Sequence, residues 1–144
     1  MKTFKSLSLS FERNSGLIVF GTSNDAAIWD MNSELVKDVF VGHEGKVQFV
    51  GISKDGQFAI SCSAELETNL IFWDLQTNQM VAELLGHTDA VACACFSKDG
   101  LTAASGSADK TIRTWNLIKA KQKLVFLGHD EAVITITILD SKKC

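Results

Sequence analysis

Residues 86–116, GHTDAVACACFSKDGLTAASGSADKTIRTWN, hold one full copy of a pattern that repeats along this chain of 144 residues. The copy opens on Gly86-His87 and closes on Trp115-Asn116. The Gly-His pair recurs at Gly42-His43 and Gly128-His129, and the tryptophan pair recurs as Trp-Asp at Trp29-Asp30 and Trp73-Asp74. The tetrapeptide Ser-Lys-Asp-Gly inside this copy recurs in the same register at Ser53–Gly56. The markers are spaced by 44 and then 42 residues, and a fixed period of roughly 20–50 residues indicates a repeat architecture.

The segment Ala90–Phe96 predicts a strand that is covered on both faces, because its alternating side chains are apolar on either side. Ser-Lys-Asp-Gly predicts a tight hairpin turn in which glycine tolerates positive φ. Two further strands at 101–107 and 110–116 and a fourth at 123–127 complete the unit. The chain contains no proline, so none interrupts ladder pairing. Since no stretch has sustained helical periodicity, the prediction is an all-β chain.

The chain resembles the WD-repeat family, in which Gly-His is followed about 30 residues later by Trp-Asp in repeats of about 40–45 residues. The resemblance extends from about residue 5 to 139. It implies antiparallel four-stranded blades of a β-propeller. The expected units are blade one at 5–41, blade two at 46–85, blade three at 90–127 and the first strand of a fourth blade at 132–139.

About three blades cannot close a ring in the ordinary way, because propellers typically have about 4–8 blades. Two explanations are open. The chain is part of a longer WD-repeat protein or is completed by a partner's repeats, or else two copies assemble into one ring. The end of the chain inside a repeat favours the first. Either way, the outer blades expose apolar faces that invite association.

The repeated histidines could suggest metal binding or acid–base chemistry, but a propeller spreads them around the ring. In the WD-repeat family this histidine belongs to a structural hydrogen-bond chain, which runs from the tryptophan of the third strand through a serine or threonine to the histidine and then to an aspartate. The resemblance implies a complete network in blade three. Its members are His87, Ser105, Asp109 and Trp115.

The other two repeats match this network less completely. Blade two offers His43, Ser61 and Trp73, while Glu67 takes the aspartate position in a loop that is two residues longer. Blade one has Trp29, with Gly21 at the serine position and no preceding Gly-His pair. The resemblance therefore leaves open whether the network closes in blade two.

Composition and cysteine use limit the class of protein. The cysteines Cys93 and Cys95 would point to the same face of a strand, which is poorly suited to a disulfide between them. A metal site would need more ligands at close spacing, and His87 is the only nearby candidate. We expect buried thiols in a reducing compartment. The N-terminus has no apolar signal core and apolar runs stay far below the roughly 20 residues that cross a bilayer. A cytoplasmic location is expected, with the nucleus as the alternative, and no membrane partner.

The motif content argues against catalysis. The chain contains no Gly-x-Ser-x-Gly elbow, glycine-rich phosphate loop or Cys-x-x-Cys pair. We therefore expect no enzymatic activity, no catalytic residues, no metal and no cofactor. The net charge is −3 with scattered lysines and arginines, and the more basic rim has few aromatic residues for stacking, so nucleic acid is an unlikely partner.

The loops of one rim carry the candidates for partner binding. Turns between a fourth strand and the next inner strand share this rim with the turns between strands two and three, and together they are rich in acids. The candidates are Glu44, Glu65, Leu66, Glu67, Asp89, Asp130 and Glu131. Leu66 would be an apolar anchor between two acids. The same side chains could instead be ordinary solvated turn residues.

The function expected from these observations is a non-catalytic scaffold that presents loops to protein or peptide partners in a multi-protein assembly. One alternative is a regulatory sensor module of a larger catalytic or nucleotide-binding protein. A second alternative is a self-associating structural protein that closes a ring as a homodimer.

Overall fold

A computed structural model describes residues 8–13, 16–64 and 70–139, and these contain twelve strands and no helix. Blade one consists of β1 Leu9–Glu12, β2 Leu17–Gly21, β3 Ala26–Asp30 and β4 Leu35–Phe40. Blade two consists of β5 Val47–Ile52, β6 Phe58–Ser63, β7 Leu70–Asp74 and β8 Gln79–Glu83. Blade three consists of β9 Val91–Phe96, β10 Thr102–Ser107, β11 Ile112–Asn116 and β12 Lys121–Phe126.

Each blade is an antiparallel sheet whose strands pair in chain order, which confirms the predicted all-β blades. Tight turns allow this meander. Gly56 and Gly100, which end the Ser-Lys-Asp-Gly turns, have φ of 70° and 69°, a conformation that only glycine adopts without strain. Their N–H groups donate to the carbonyl oxygens of Ser53 and Ser97 at 2.9 and 3.0 Å. The repeated tetrapeptide therefore sets the same hairpin in blades two and three.

Two apolar cores lie between consecutive blades. In each of them, the facing sides of two neighbouring sheets pack together. The first core joins Leu17, Val19, Ala26, Ile28 and Phe40 of blade one to Val47, Val50, Ala59, Ile71, Trp73 and Leu75 of blade two. The second joins Ile60, Cys62, Leu70, Phe72 and Leu84 of blade two to Val91, Ala94, Ala103, Trp115 and Leu117 of blade three. The described residues form an open array of three blades, in which β1, β5 and β9 are the adjacent inner strands.

Residues 132–139, which the sequence predicts as the first strand of a fourth blade, are not assigned to a strand. They nevertheless follow blade three closely. The Val133 N–H donates to the carbonyl oxygen of Ser107 at 3.0 Å, and the Val133 side chain is buried beside Gly106. Ile134 and Leu139 are exposed. The segment thus occupies the place of an inner strand without a ladder of its own, and a ladder is what defines a strand.

No helix in the described ranges is long and apolar enough to span a membrane.

Candidate functional site: histidine networks and the loop rim

A continuous hydrogen-bond chain crosses blade three. Trp115 Nε1 donates to Ser105 Oγ at 2.8 Å, and Ser105 Oγ lies 2.8 Å from His87 Nε2. Because the Asp109 carboxylate can only accept, the neutral imidazole carries its hydrogen on Nδ1, and its Nε2 accepts from the Ser105 hydroxyl. His87 Nδ1 donates that hydrogen to Asp109 Oδ2 at 2.8 Å. All four sequence-predicted residues of this network are therefore in contact, in the order that the family resemblance implies.

Asp109 ties this chain to two loops. Its carboxylate also accepts from the Thr111 hydroxyl at 2.7 Å and from the Thr88 N–H at 3.1 Å. Burial raises the pKa of Asp109, but the hydrogen bonds from Thr111, His87 and Thr88 outweigh it and hold the pKa well below its usual range. Burial lowers the pKa of His87, against the opposing influence of Asp109. The pair is thus a neutral imidazole and a carboxylate, with a structural role.

These pKa shifts predict a loss of stability in acid. An unfolded chain binds a proton on histidine near pH 6.5, the ordinary value, whereas folded His87 does so only at lower pH. The free energy of unfolding therefore falls as the pH drops below about 6.5. Asp109 adds a further loss as the pH falls below its ordinary pKa of 3.8.

The measurement is the urea midpoint between pH 7.5 and 5.0, followed by circular dichroism, for the wild type, His87→Gln and the exposed control His129→Gln. We expect a flatter pH profile for His87→Gln alone. An unchanged slope in His87→Gln would contradict this assignment.

Within the described residues, blade two contains the first part of the same hydrogen-bond chain. Trp73 Nε1 donates to Ser61 Oγ at 2.7 Å, and Ser61 Oγ lies 2.5 Å from His43 Nε2. The Trp73 ring also stacks on Phe40 of the preceding blade, with 4.8 Å between ring centroids. Glu67, which the sequence places at the aspartate position, lies outside the described residues.

Blade one differs from both. Strand register puts Phe20, not Gly21, at the serine position, because Trp29 pairs with Ile18 just as Trp73 pairs with Ala59, and the serine lies two residues farther on. The assignment of Gly21 from spacing was therefore wrong by one residue, since this hairpin is shorter. Trp29 is 39% exposed, whereas Trp73 and Trp115 are 2% and 1% exposed. Blade one thus lacks both the network and the cover of its tryptophan.

The two kinds of loop expected to share a rim do meet there. The Ser107 hydroxyl donates to the carbonyl oxygen of Asp89 at 2.9 Å, and Thr88 reaches Asp109 across the same gap. The Ala108 N–H also donates to the carbonyl oxygen of Ala90 at 2.9 Å, and blade two repeats this backbone contact, since the Ala64 N–H donates to the carbonyl oxygen of Lys46 at 3.1 Å. We call the exposed acids of these loops the acidic rim: Glu44, Asp89, Asp130 and Glu131.

The remaining rim candidates, Glu65, Leu66 and Glu67, lie outside the described residues. Asp109 is half-buried and engaged in the histidine network, and the cations Lys46 and Lys110 are exposed on the same rim.

The three thiols within the described residues form no disulfide and are shielded from solvent to different degrees. Cys62 and Cys93 are buried and Cys95 is half-buried, and burial raises the pKa of each. A raised pKa leaves little thiolate, so these cysteines are poor nucleophiles. Across residues 8–13, 16–64 and 70–139, no group of three or more His, Cys, Asp or Glu side chains is arranged to hold a metal ion.

One feature escaped the sequence analysis. The inner strands line an open concavity of about 580 Å³ near Ser10, Phe49, Cys95 and Ile138. Beside it, the hydroxyls of blade one bond to blade two: the Val50 N–H donates to Ser8 Oγ and the Ile52 N–H to Ser10 Oγ, both at 3.1 Å. The alternating Ser-Leu-Ser-Phe pattern at residues 8–11 is the signal that could have revealed these contacts.

The family model of the WD domain, G-beta repeat, matches residues 34–74 and 78–116, which together are more than half of the chain. The chain therefore belongs to the WD-repeat family. Each match begins just before an outer strand, β4 or β8, and ends with the third strand of the next blade. WD repeats are typically non-catalytic and generally mediate interactions between proteins. A search of curated proteins found no match.

Proposed function

We propose that this chain is a non-catalytic scaffold that presents the loops of its propeller segment to protein or peptide partners in a multi-protein assembly. The observation that carries the proposal is that the polar groups fall into two sets, one buried and hydrogen-bonded inside a blade and one exposed on loops. The side chains that resemble chemical machinery, such as His87 and Asp109, are consumed inside a blade. The exposed acids stand on the surrounding loops, and the loop of Asp89 is held in place by Asp109 and Ser107.

The acidic rim favours binding of a partner with a basic surface. The loop that carries Asp89 is preorganised, because Asp109 and Ser107 bond to it, and a rigid loop reduces the entropy lost on binding. Acids grouped on one rim also steer a basic partner toward it and raise the association rate. Free, buried thiols in Cys62 and Cys93 support a cytoplasmic or nuclear location as part of the same proposal.

Charge reversal at the rim tests this function. The pair Glu44→Lys and Asp130→Lys removes acids from the rim, and the matched pair Glu34→Lys and Glu83→Lys changes the net charge equally at exposed positions of a turn and an outer strand. We expect the rim pair to slow association with a basic partner about tenfold at low salt. The control pair should leave the rate near that of the wild type.

To identify partners, a photoreactive residue is placed at position 44, and the proteins of the source cell that crosslink to it are collected. Their binding rates are then measured with each variant by surface plasmon resonance, after circular dichroism has shown that the variants are folded. If every such partner binds the rim variant and the wild type at equal rates, the proposal is wrong.

A further inference from the structure

The outer faces of the array can be compared, position by position, with the interfaces inside it. Phe40 and Leu84 close the outer strands of blades one and two and are 1% and 2% exposed, whereas Phe126, at the same position of blade three, is 47% exposed. Phe40 is covered because it stacks on Trp73 of the next blade. At the other end of the array it is Trp29 that is uncovered. Each outer face is thus one half of an interface that the chain already makes twice.

The glycines of the Gly-His pairs show the same vacancy. A Cβ on Gly42 would meet the Trp73 ring at 2.9 Å, and one on Gly86 would meet the Trp115 ring at 3.4 Å. A Cβ on Gly128 would meet nothing within 4 Å. Gly128 therefore lacks the tryptophan contact that Gly42 and Gly86 have. Among the three tryptophans, Trp29 is the exposed one.

The packing and the sequence pattern of residues 132–139 indicate which protein surface covers these faces. Val133 packs against Gly106 as Val47 packs against Gly21, which fixes the segment in the register of an inner strand. In that register, Thr135-Ile136-Thr137-Ile138 corresponds to Ser8-Leu9-Ser10-Phe11 of blade one. The order of hydroxyl and apolar side chains is the same. Blade two has Phe-Val-Gly-Ile at these positions and blade three has Cys-Ala-Cys-Phe, so only blade one shares the pattern.

The matching hydroxyls have a defined task. Ser8 and Ser10 accept hydrogen bonds from the N–H groups of Val50 and Ile52 on β5. Thr135 and Thr137 carry hydroxyls at the corresponding positions, so the segment could take the place of β1 beside β2 and β5 without leaving those two N–H groups unpaired. By contrast, β1 is a short strand whose apolar side chains Leu9 and Phe11 are exposed.

We propose that two copies of this chain associate head to tail, with residues 132–139 of each copy pairing with β2 of the other in place of that copy's own β1. Phe126 of one copy then stacks on Trp29 of the second copy, as Phe40 stacks on Trp73. Two copies of three blades make six, within the range of roughly 4–8 blades in which propellers close. The two junctions are identical, as a closed symmetric dimer requires. This inference goes beyond the proposed function, since it involves the blade faces and not the rim.

A disulfide across the exchanged strand tests the proposal. Phe20 lies opposite Leu9 in the register of β1 and β2, and Ile136 takes the place of Leu9 in the exchange. Within one chain, positions 20 and 136 are separated by blades two and three. In a chain with Cys144→Ser, we expect Phe20→Cys with Ile136→Cys to form, on mild oxidation, a reducible species of twice the 15.7 kDa chain mass.

The register control is Phe20→Cys with Ile134→Cys, because Ile134 corresponds to Ala92, which is bulged out of the pairing between β9 and β10. On a denaturing, non-reducing gel, where only a disulfide keeps two chains together, this pair and each single cysteine variant should remain at the mass of one chain after oxidation. Crosslinking of both pairs to the same extent, or of neither, would overturn the strand exchange.

A second test measures the dimer affinity by sedimentation equilibrium. Thr135→Val with Thr137→Val keeps the side-chain shape but removes both hydroxyls, whereas Thr135→Ser with Thr137→Ser retains them and copies blade one. The valine pair should weaken dimerisation about a hundredfold, since four ordinary hydrogen bonds are lost, two at each of the identical junctions, and the serine pair should leave it within about twofold.

Light scattering coupled to size exclusion should show a wild-type species of twice the chain mass. A wild-type chain that stays at one chain mass, or that forms a series of larger species, would refute closure by a second copy. An equal affinity of the wild type and the valine pair would refute the role of the hydroxyls, and neither result would bear on binding at the acidic rim.

Discussion

Replacing Trp115 with alanine should lower the free energy of unfolding by about 3–5 kcal/mol, whereas the same change at Trp29 should cost about 1 kcal/mol. Trp115 is buried in the core between blades two and three and its indole N–H is bonded to Ser105. Its removal leaves a cavity and takes one of two hydrogen-bond partners from the Ser105 hydroxyl, which keeps its bond to His87. Trp29 occupies the corresponding position of blade one, but with more than a third of its surface exposed, so its removal opens little space.

The comparison is made by urea unfolding followed by circular dichroism, at a protein concentration low enough that association of copies does not contribute. Because small domains have only about 5–15 kcal/mol of stability, the alanine variant could unfold outright. Trp115→Phe, which keeps most of the ring, then provides the measurable loss. Equal losses at positions 115 and 29 would contradict the burial that distinguishes the two blades.

The Ser105→Ala variant should lose about 2–4 kcal/mol although it removes a single oxygen atom. That oxygen serves two buried partners, the Trp115 N–H and His87 Nε2, and each buried group left without a partner costs about 1–3 kcal/mol. The exposed Ser23→Ala is the control and should change the stability by less than about 0.5 kcal/mol.

A double-mutant cycle isolates the hydrogen bond itself. Trp115→Phe removes the indole N–H, so its cost should be smaller in the Ser105→Ala background than in the wild type, with a coupling of about 1 kcal/mol. Additive losses would show that the serine and the tryptophan stabilise blade three independently, against the geometry of the network.

The sequence predicted blades two and three closely because markers bracket each of their hairpins. Gly-His precedes the inner strand, Ser-Lys-Asp-Gly forms the first turn, and the tryptophan ends the third strand. Blade one has the tryptophan alone, so counting from it had to assume a hairpin length. The assumption put Gly21 where the register has Phe20.

Properties that depend on a neighbouring blade were harder to predict. Residue type and register suffice for the chain from Trp115 to Asp109, because all its members lie in or beside one sheet. The exposure of Trp29 and Phe126 depends instead on which sheet stands next to them. Likewise, residues 132–139 have the composition of a strand, but strand assignment requires a partner ladder that the described residues do not provide for them.

The sequence repeat is out of phase with the blade, and this determines how the number of blades can change by duplication or loss of repeats. Each family match carries an outer strand together with three strands of the following blade, so every junction between blades is bridged by an uninterrupted repeat. Duplicating residues 34–77 would therefore insert an outer strand and the first three strands of another blade, with junctions that copy the contact of Phe40 with Trp73. The length of the array can thus change by whole repeats without inventing a new interface, whereas a cut between blades divides a repeat in two.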